Sequence, residues 1–297
     1  MKTSLTGTGV ALVTPFRPDG SPDREALERL VRFVTQGGVE YLVVLGTTAE
    51  VACLDAAERA EILHTVASVN DGRLPLVAGI GGNNTREVAR QMREADLQGY
   101  QAILSVSPYY NRPTQEGIYR HFAYLAQEAP LPLILYNVPA RTGSNMLPDT
   151  VARLARDFPS IIAVKEACGD RVQIQSLLRA VPEGFAVLSG DDATAVQTVI
   201  DGGVGVISVL GQGIPDRFSD MIRRALSGDF AGALAESETL SPLMEAIFLE
   251  GNPAGIKALL SLRGICGPEV RLPLVRATER LTAHMGSCLE PLLGSRV

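Results

Sequence analysis

A chain of 297 residues, 46% apolar and 20% charged, can bury a large core, which excludes an intrinsically disordered protein. Its formal net charge of −6, with no clustered Lys/Arg run, excludes a nucleic-acid surface, because neutralising phosphates needs a basic face. No segment approaches about 18 uninterrupted apolar residues, and the opening Met1-Lys2-Thr3-Ser4-Leu5-Thr6-Gly7 lacks the apolar run of a signal peptide; a soluble, cytoplasmic protein without membrane contact is expected.

Short apolar runs recur about every 30 residues, each followed by a helix-period segment, which is the rhythm of repeated βα units. The first run covers residues 9–13. Ser21-Pro22 then reads as N-cap and first-turn proline of a helix with Leu27, Leu30, Val31 and Val34 on one stripe, stopped by Gly37-Gly38. Residues 41–45 form the second run, with Gly46-Thr47-Thr48 at its exit. Asp55 and Glu58 follow at capping-box spacing and open a helix that buries Leu63, Val66 and Ala67. Residues 74–78 are the third run, and Asn84 with Glu87 caps the helix after it. Residues 102–106 are the fourth, leading into Ser107-Pro108-Tyr109-Tyr110-Asn111-Arg112-Pro113 and a helix from Thr114 with Ile118, Phe122 and Leu125 inside. Residues 131–136, 161–165, 185–189 and 204–208 complete the series.

Eight strands apolar on both faces, alternating with helices, predict an α/β fold, a (β/α)8 TIM barrel rather than an open doubly wound sheet. From Pro215 onward the pattern is helical only, over 221–226, 230–248, 253–262 and 273–284. The expected division is a barrel over 1–214, then a closing helix and an additional C-terminal helical layer over 215–297.

In such a barrel the C-terminal ends of all strands face one way, and chemistry collects in the loops beyond them. Those loops hold Thr47 and Thr48; Tyr109 and Tyr110; Tyr136, Asn137 and Arg141; Lys165 and Glu166; and Gly190, Asp191 and Asp192. Lys165 stands apart, because it ends a run of four apolar residues. An ordinary lysine is only about one part in 2,500 free amine at neutral pH, so a nucleophilic lysine needs burial or cationic neighbours. A strand end in a barrel mouth supplies burial. Amine, phenols and carboxylate-holding donors together suit carbonyl chemistry through an imine. Each member also has a plainer reading: a snorkelling lysine, a threonine turn, a packed tyrosine pair, a helix cap at Asp191-Asp192. The glycines of Gly79-Ile80-Gly81-Gly82 read better as a tight turn than as a phosphate loop, since the full dinucleotide fingerprint is missing. Cys53, Cys168, Cys266 and Cys288 lack paired spacing, as do His64, His121 and His284, so neither a disulfide framework nor a metal site is expected.

Six segments together resemble the dihydrodipicolinate synthase family: Gly46-Thr47-Thr48-x-Glu50; residues 107–113; Tyr136-Asn137-Val138-Pro139-x-Arg141-Thr142-Gly143; Val164-Lys165-Glu166-Ala167; Ser189-Gly190-Asp191-Asp192; and Gly205-Val206-Ile207-Ser208. The resemblance runs from Gly9 to about Lys257. The lysine and Thr-Thr motifs alone mark a wider superfamily of pyruvate-dependent lyases that includes N-acetylneuraminate lyase; Arg141 in its Tyr-Asn-Val-Pro context narrows it.

The resemblance implies a Schiff-base-forming lyase that condenses pyruvate with L-aspartate 4-semialdehyde without a cofactor, in a homotetramer. By the same likeness Lys165 forms the imine, Tyr136 is the acid/base phenol, and Thr47 and Tyr110 complete a relay, Tyr110 reaching in from a neighbouring subunit. Thr48 holds the pyruvate carboxylate, Arg141 the semialdehyde carboxylate, and Gly190 and Ile207 give main-chain contacts. Asn83, Glu87, Tyr109 and Arg59 correspond to an effector site for lysine, with Ala56, Arg59 and Val51 departing from the family pattern; weak or absent feedback is expected. Ala49 and the segment Val209-Leu210-Gly211-Gln212 also depart from it. Two alternatives stay open: another pyruvate lyase acting on a sugar acid, and a non-catalytic sensor barrel.

Overall fold

The computed structural model describes residues 5–293. Met1 to Ser4, part of the segment read above as no signal peptide, lie outside them. Eight parallel strands close into a barrel in chain order, the first pairing with the last. They are β1 (Gly7–Ala11), β2 (Tyr41–Val44), β3 (Leu76–Gly79), β4 (Ala102–Val106), β5 (Leu133–Asn137), β6 (Ile161–Glu166), β7 (Ala186–Ser189) and β8 (Gly205–Ser208). The helices that follow are α1 (Arg24–Gln36), α2 (Ala56–Asn70), α3 (Thr85–Glu94), α4 (Gln115–Glu128), the single turn α5 (Pro139–Thr142), α6 (Pro148–Asp157), α7 (Arg171–Ala180), α8 (Ala195–Ile200) and α9 (Pro215–Ser227). Beyond them lie α10 (Phe230–Ala246), α11 (Ala254–Leu262) and α12 (Glu279–Leu293). Among the described residues no helix is long and apolar enough to cross a membrane.

Strand alternation divides the core in two. Ala11, Tyr41, Val43, Val77, Leu104, Ile134, Tyr136, Ala163, Leu188 and Ile207 fill the barrel interior. Val10, Leu42, Ile103, Leu135, Val164 and Val206 pack outward under the helices. Tyr41 plugs the interior: it is fully buried, its hydroxyl donates to the Val206 carbonyl at 3.1 Å, and a Cβ on Gly9 would lie 2.1 Å from its ring. Gly9 is therefore the space that the tyrosine fills.

Three helix starts differ from the expectation, α9 beginning at Pro215 instead of Met221. α1 is capped by Asp23, whose carboxylate accepts from the Ala26 amide, while Pro22 forms an isolated antiparallel bridge with Phe16. The last helix begins near Thr278, whose hydroxyl accepts from the Leu281 amide, instead of at Pro273. The segment before it starts with a turn at Leu272-Pro273 and stays outside any helix, while Arg271 bonds the carbonyls of Gly20 and Cys53. Both capping signals at Asp55/Glu58 and at Asn84 are formed as expected.

Candidate active site

Lys165 and Tyr136 face each other in register across β5 and β6, both pointing into the barrel mouth. Lys165 is only 5% exposed, and its Nζ lies 4.4 Å from the centroid of the Tyr136 ring. Among the described residues it has neither a hydrogen bond nor an ion pair, an uncommon state for a buried lysine. Gly190 makes its place. A Cβ there would sit 2.6 Å from the Ala167 Cβ and 3.1 Å from the Lys165 Cγ and Cε, so any side chain would push the lysine aside. The Gly190 amide is already spent on the Glu166 carbonyl at 2.7 Å. Ile207, fully buried on β8 two strands from β6, also fills the barrel interior.

Glu166, one residue on, points the other way. It is buried between sheet and helices, where its carboxylate accepts from Asn137 Nδ2 at 2.9 and 3.0 Å, the Cys168 amide at 2.8 Å and Gln173 Nε2 at 3.2 Å. Burial pushes its pKa up, and these donors pull against that rise. The motif's Lys-Glu pair is thus a reactive group inside the barrel with an anchor behind it. Cys168 beside that carboxylate is pushed up to about 12, first by burial and then by the Glu166 charge.

Thr47 and Thr48 sit in a one-turn helix, Thr47–Ala49, directly after β2. Leu45 before it and Glu50 after it both adopt left-handed backbone, with φ of 60° and 57°. For residues with a Cβ that conformation is strained, and such strain is found where a loop is held for use. Ala49, where the family pattern has glycine, fits the turn: it is absent from the positive-φ residues, and its carbonyl accepts from the Thr14 hydroxyl at 2.8 Å. Glu50 is tied into the C-terminal region through Lys257, whose Nζ bonds Glu50 Oε1 at 2.5 Å and the Glu269 carbonyl at 2.7 Å. Asn252 also reaches the turn, its Nδ2 donating to Thr48 Oγ1 at 3.0 Å. The backbone carbonyl of the same residue accepts from Arg141 Nη2 at 3.4 Å.

The loop after β8 is fastened from below. Asp192 Oδ2 accepts from the Leu210 amide at 2.7 Å and both carboxylate oxygens from the Val209 amide. Burial pushes the pKa of Asp192 up to about 6. Gln212 bridges to β1 through the Ala11 carbonyl and to the Val13 amide.

Tyr110 does not join the others within one chain. It is 88% exposed, with a left-handed φ of 71°. Thr47 and Tyr136 do share a cavity of about 610 Å3, which opens outward between α2 and α3 past Val51, Ala56, Arg59 and Glu87. Of the four effector-site candidates it gathers Arg59 and Glu87, whereas Asn83 and Tyr109 pair with each other, Asn83 Nδ2 donating to the Tyr109 carbonyl at 3.2 Å. Arg59 is held by the carbonyls of Leu54 and Val51, and Glu87 by Arg90 at 2.7 Å, which holds its carboxyl at about 2. Among the described residues no group of three or more His, Cys, Asp or Glu side chains is placed to hold a metal ion.

A closed parallel barrel with an unpaired lysine facing a phenol at the C-terminal ends of its strands defines a Schiff-base-forming lyase. A model of the Dihydrodipicolinate synthetase family matches residues 4–291, and the chain belongs to that family. A 4-hydroxy-tetrahydrodipicolinate synthase from Flavobacterium psychrophilum is 51% identical over 282 residues, covering 95% of this chain and 96% of its own. The crystal structure of a dihydrodipicolinate synthase from Thermotoga maritima superposes with a TM-score of 0.94 at 38% identity, covering 96% of this chain and 98% of its own. The chloride-inhibited enzyme from Acinetobacter baumannii, solved as a complex with pyruvate, gives 0.93 at 36% identity, covering 97% and 98%.

Asn252 and Lys257 escaped the sequence reading as functional residues. The pattern over 253–262 reads simply as a helix, which leaves Asn252 just ahead of it and Lys257 within it. The available signal was Glu50: a carboxylate that close to Thr47-Thr48 needs a cation once it is buried.

Proposed function

We propose that this chain is a 4-hydroxy-tetrahydrodipicolinate synthase, condensing pyruvate with L-aspartate 4-semialdehyde through an imine on Lys165. The observation that carries the reading is the buried ε-amino group left without an acid partner beside Tyr136. A lysine locked to a carboxylate would be held as ammonium; among the described residues this one has no carboxylate partner. Relatives named as this synthase at up to 51% identity over nearly the whole chain support the same substrates.

The Lys165 nitrogen attacks the pyruvate ketone, and loss of water leaves a protonated imine. That imine withdraws electrons from the adjacent methyl group, which loses a proton to the Tyr136 side of the pocket and becomes an enamine. The enamine carbon attacks the aldehyde carbon. The amine of the second substrate then adds to the imine carbon, expels Lys165 and closes the ring. Thr48 would hold the pyruvate carboxylate and Arg141, as a planar fork, that of the semialdehyde. Thr47 and a partner subunit's Tyr110 would complete the proton relay. The exposure of Tyr110 supports this arrangement, since a phenol of that size standing in solvent on strained backbone buries little of its own fold. A homotetramer in the cytoplasm is the setting we assign. Because Arg59 brings a cation into the cavity where a lysine effector would place its ammonium, feedback by lysine would be weak.

Borohydride reduction in the presence of pyruvate, read by intact mass and peptide mapping, tests the reading. A single pyruvate adduct on Lys165, lost in Lys165→Ala, is expected. An adduct that persists in the variant would remove the assigned nucleophile.

A further inference from the structure

We infer that Asn252, on the C-terminal side of the barrel, is a positioning residue that aims the Thr48 hydroxyl at the pyruvate carboxylate; this rests on the proposed role of Thr48. A threonine hydroxyl carries one proton and two lone pairs. In the structure Asn252 Nδ2 donates to Thr48 Oγ1 at 3.0 Å, so one lone pair is taken and the proton remains for another acceptor. Asn252 is 8% exposed, and its Oδ1 is buried without a partner among the described residues. A buried, unmade acceptor costs stability, on the order of 1–3 kcal/mol. Turning the amide over would let Oδ1 accept the Thr48 proton, and would move Nδ2 into the place where Oδ1 now finds no donor. It would also consume the only donor the hydroxyl has. The arrangement keeps the proton at the expense of the amide oxygen, which makes sense where an anion is to be bound.

The same residue touches the second pocket in a different way. Its backbone carbonyl accepts from Arg141 Nη2 at 3.4 Å, a contact that survives any change of side chain. Substitutions at 252 should therefore separate the two substrates. Asn252→Ala removes the donor that orients Thr48 and is expected to raise the KM for pyruvate about 10-fold, the loss of one hydrogen bond. Asn252→Asp keeps the volume but offers only acceptors. It would capture the Thr48 proton and set a negative charge near the incoming carboxylate, raising that KM by about 100-fold. The KM for the semialdehyde should move by less than about two-fold in both.

The ordering is the decisive readout. If Asn252 merely filled space, the isosteric Asp would be milder than Ala, and that result would overturn the inference. Should Asn252→Asp fail to fold, a double-mutant cycle with Thr48→Val carries the test. Acting through Thr48, Asn252→Ala adds less than about two-fold to the pyruvate KM in the valine background, and full additivity overturns it. Borohydride trapping of pyruvate by the unsubstituted protein is run alongside. Failure to trap overturns the imine reading and this inference together; trapping with the wrong order of variants overturns this inference alone.

Discussion

The protein buries two lysines and treats them in opposite ways. Lys257, fully buried on α11, is gripped by Glu50 and the Glu269 carbonyl, and its ammonium lies 4.1 Å from the centroid of the Phe16 ring. Lys165, nearly as buried on β6, lies over the Tyr136 ring and has no hydrogen bond or ion pair among the described residues. Burial pulls the pKa of Lys257 below the usual lysine range, while Glu50 works to keep it charged. The pair joins α11 to the turn that carries Thr47 and Thr48, so one lysine serves as a fastener. The other is left unfastened among the described residues, which leaves its nitrogen available for the proposed imine. The difference teaches that partner supply, more than burial, sets the two lysines apart.

The same substitution at both sites gives the sharpest test. Lys165→Met should lower kcat at least about 10^3-fold, as loss of a covalent nucleophile does. Its stability should stay level or rise, because no opposite charge is stranded. Lys257→Met strands the Glu50 carboxylate in a dry interior and should cost about 3–5 kcal/mol of unfolding free energy. The double variant Glu50→Gln with Lys257→Met should regain most of that loss. Urea unfolding of the three proteins, beside steady-state rates, checks this; equal stability losses at 165 and 257 would erase the distinction.

Asp192 extends the comparison to a buried carboxylate with amide partners and no lysine. Its folded pKa of about 6 lies above the ordinary value of 3.8. A raised carboxyl favours the folded state when protonated, so its contribution is complete below pH 3.8 and is lost as pH climbs through about 6. The full span is on the order of 2–3 kcal/mol. Asp192→Asn cannot titrate. The stability of the parent relative to this variant should therefore fall between pH 5 and pH 8, as measured by urea unfolding at both. A constant difference would show that Asp192 ionises as freely in the fold as outside it.

The sequence made the barrel legible because each βα unit carries its own local signal. Runs such as Ala102–Val106 have apolar residues on both faces, and caps such as Asp55 with Glu58 act within four residues of chain. Where two local signals competed, tertiary contacts decided. Ser21-Pro22 looked like a helix start, but Pro22 bridges to Phe16 and the Asp23 carboxylate takes the cap. Pro273 looked like another, yet Arg271 pins that segment to residues more than 200 positions away. The site divides in the same manner. Lys165 and Tyr136 are visible because strand position fixes where they point. Asn252 and Lys257 are not, because their meaning lies in Thr48 and Glu50, 204 and 207 residues distant. The loop position of Tyr110 was legible from strand order, but its relay role only by resemblance, since one chain leaves it in solvent.

The smallest expected effect lies one step outward from the Lys257 pair, where Arg271 meets Glu58. Arg271 Nη1 and Nη2 bond the two Glu58 oxygens at 2.7 and 2.5 Å, while its backbone amide donates to Glu50 Oε2 at 2.8 Å. The pair is about a fifth exposed, with side-chain exposures of 21% and 19%. Glu58→Gln keeps the shape and an oxygen that can cap α2, and removes the charge together with one of the two acceptors that Arg271 uses. It should cost about 1 kcal/mol, the scale of a surface pair with good bidentate geometry. Arg271 holds the Glu58 carboxyl below its usual value of 4.5. A lowered carboxyl stabilises the fold above its unfolded pKa, so the gap between parent and variant should be present at pH 7. It should close as pH falls below 4.5 and through the lower folded value, opposite in slope to Asp192. Salt separates this pair from the buried one. Raising sodium chloride to about 1 M shortens the screening length to about 3 Å and should shrink the Glu58→Gln effect. The loss caused by Lys257→Met should hardly change, because no ions reach a pair with no exposed surface. If salt weakened both alike, the Lys257 pair would be wetter than its burial implies, and the contrast with Lys165 would narrow accordingly.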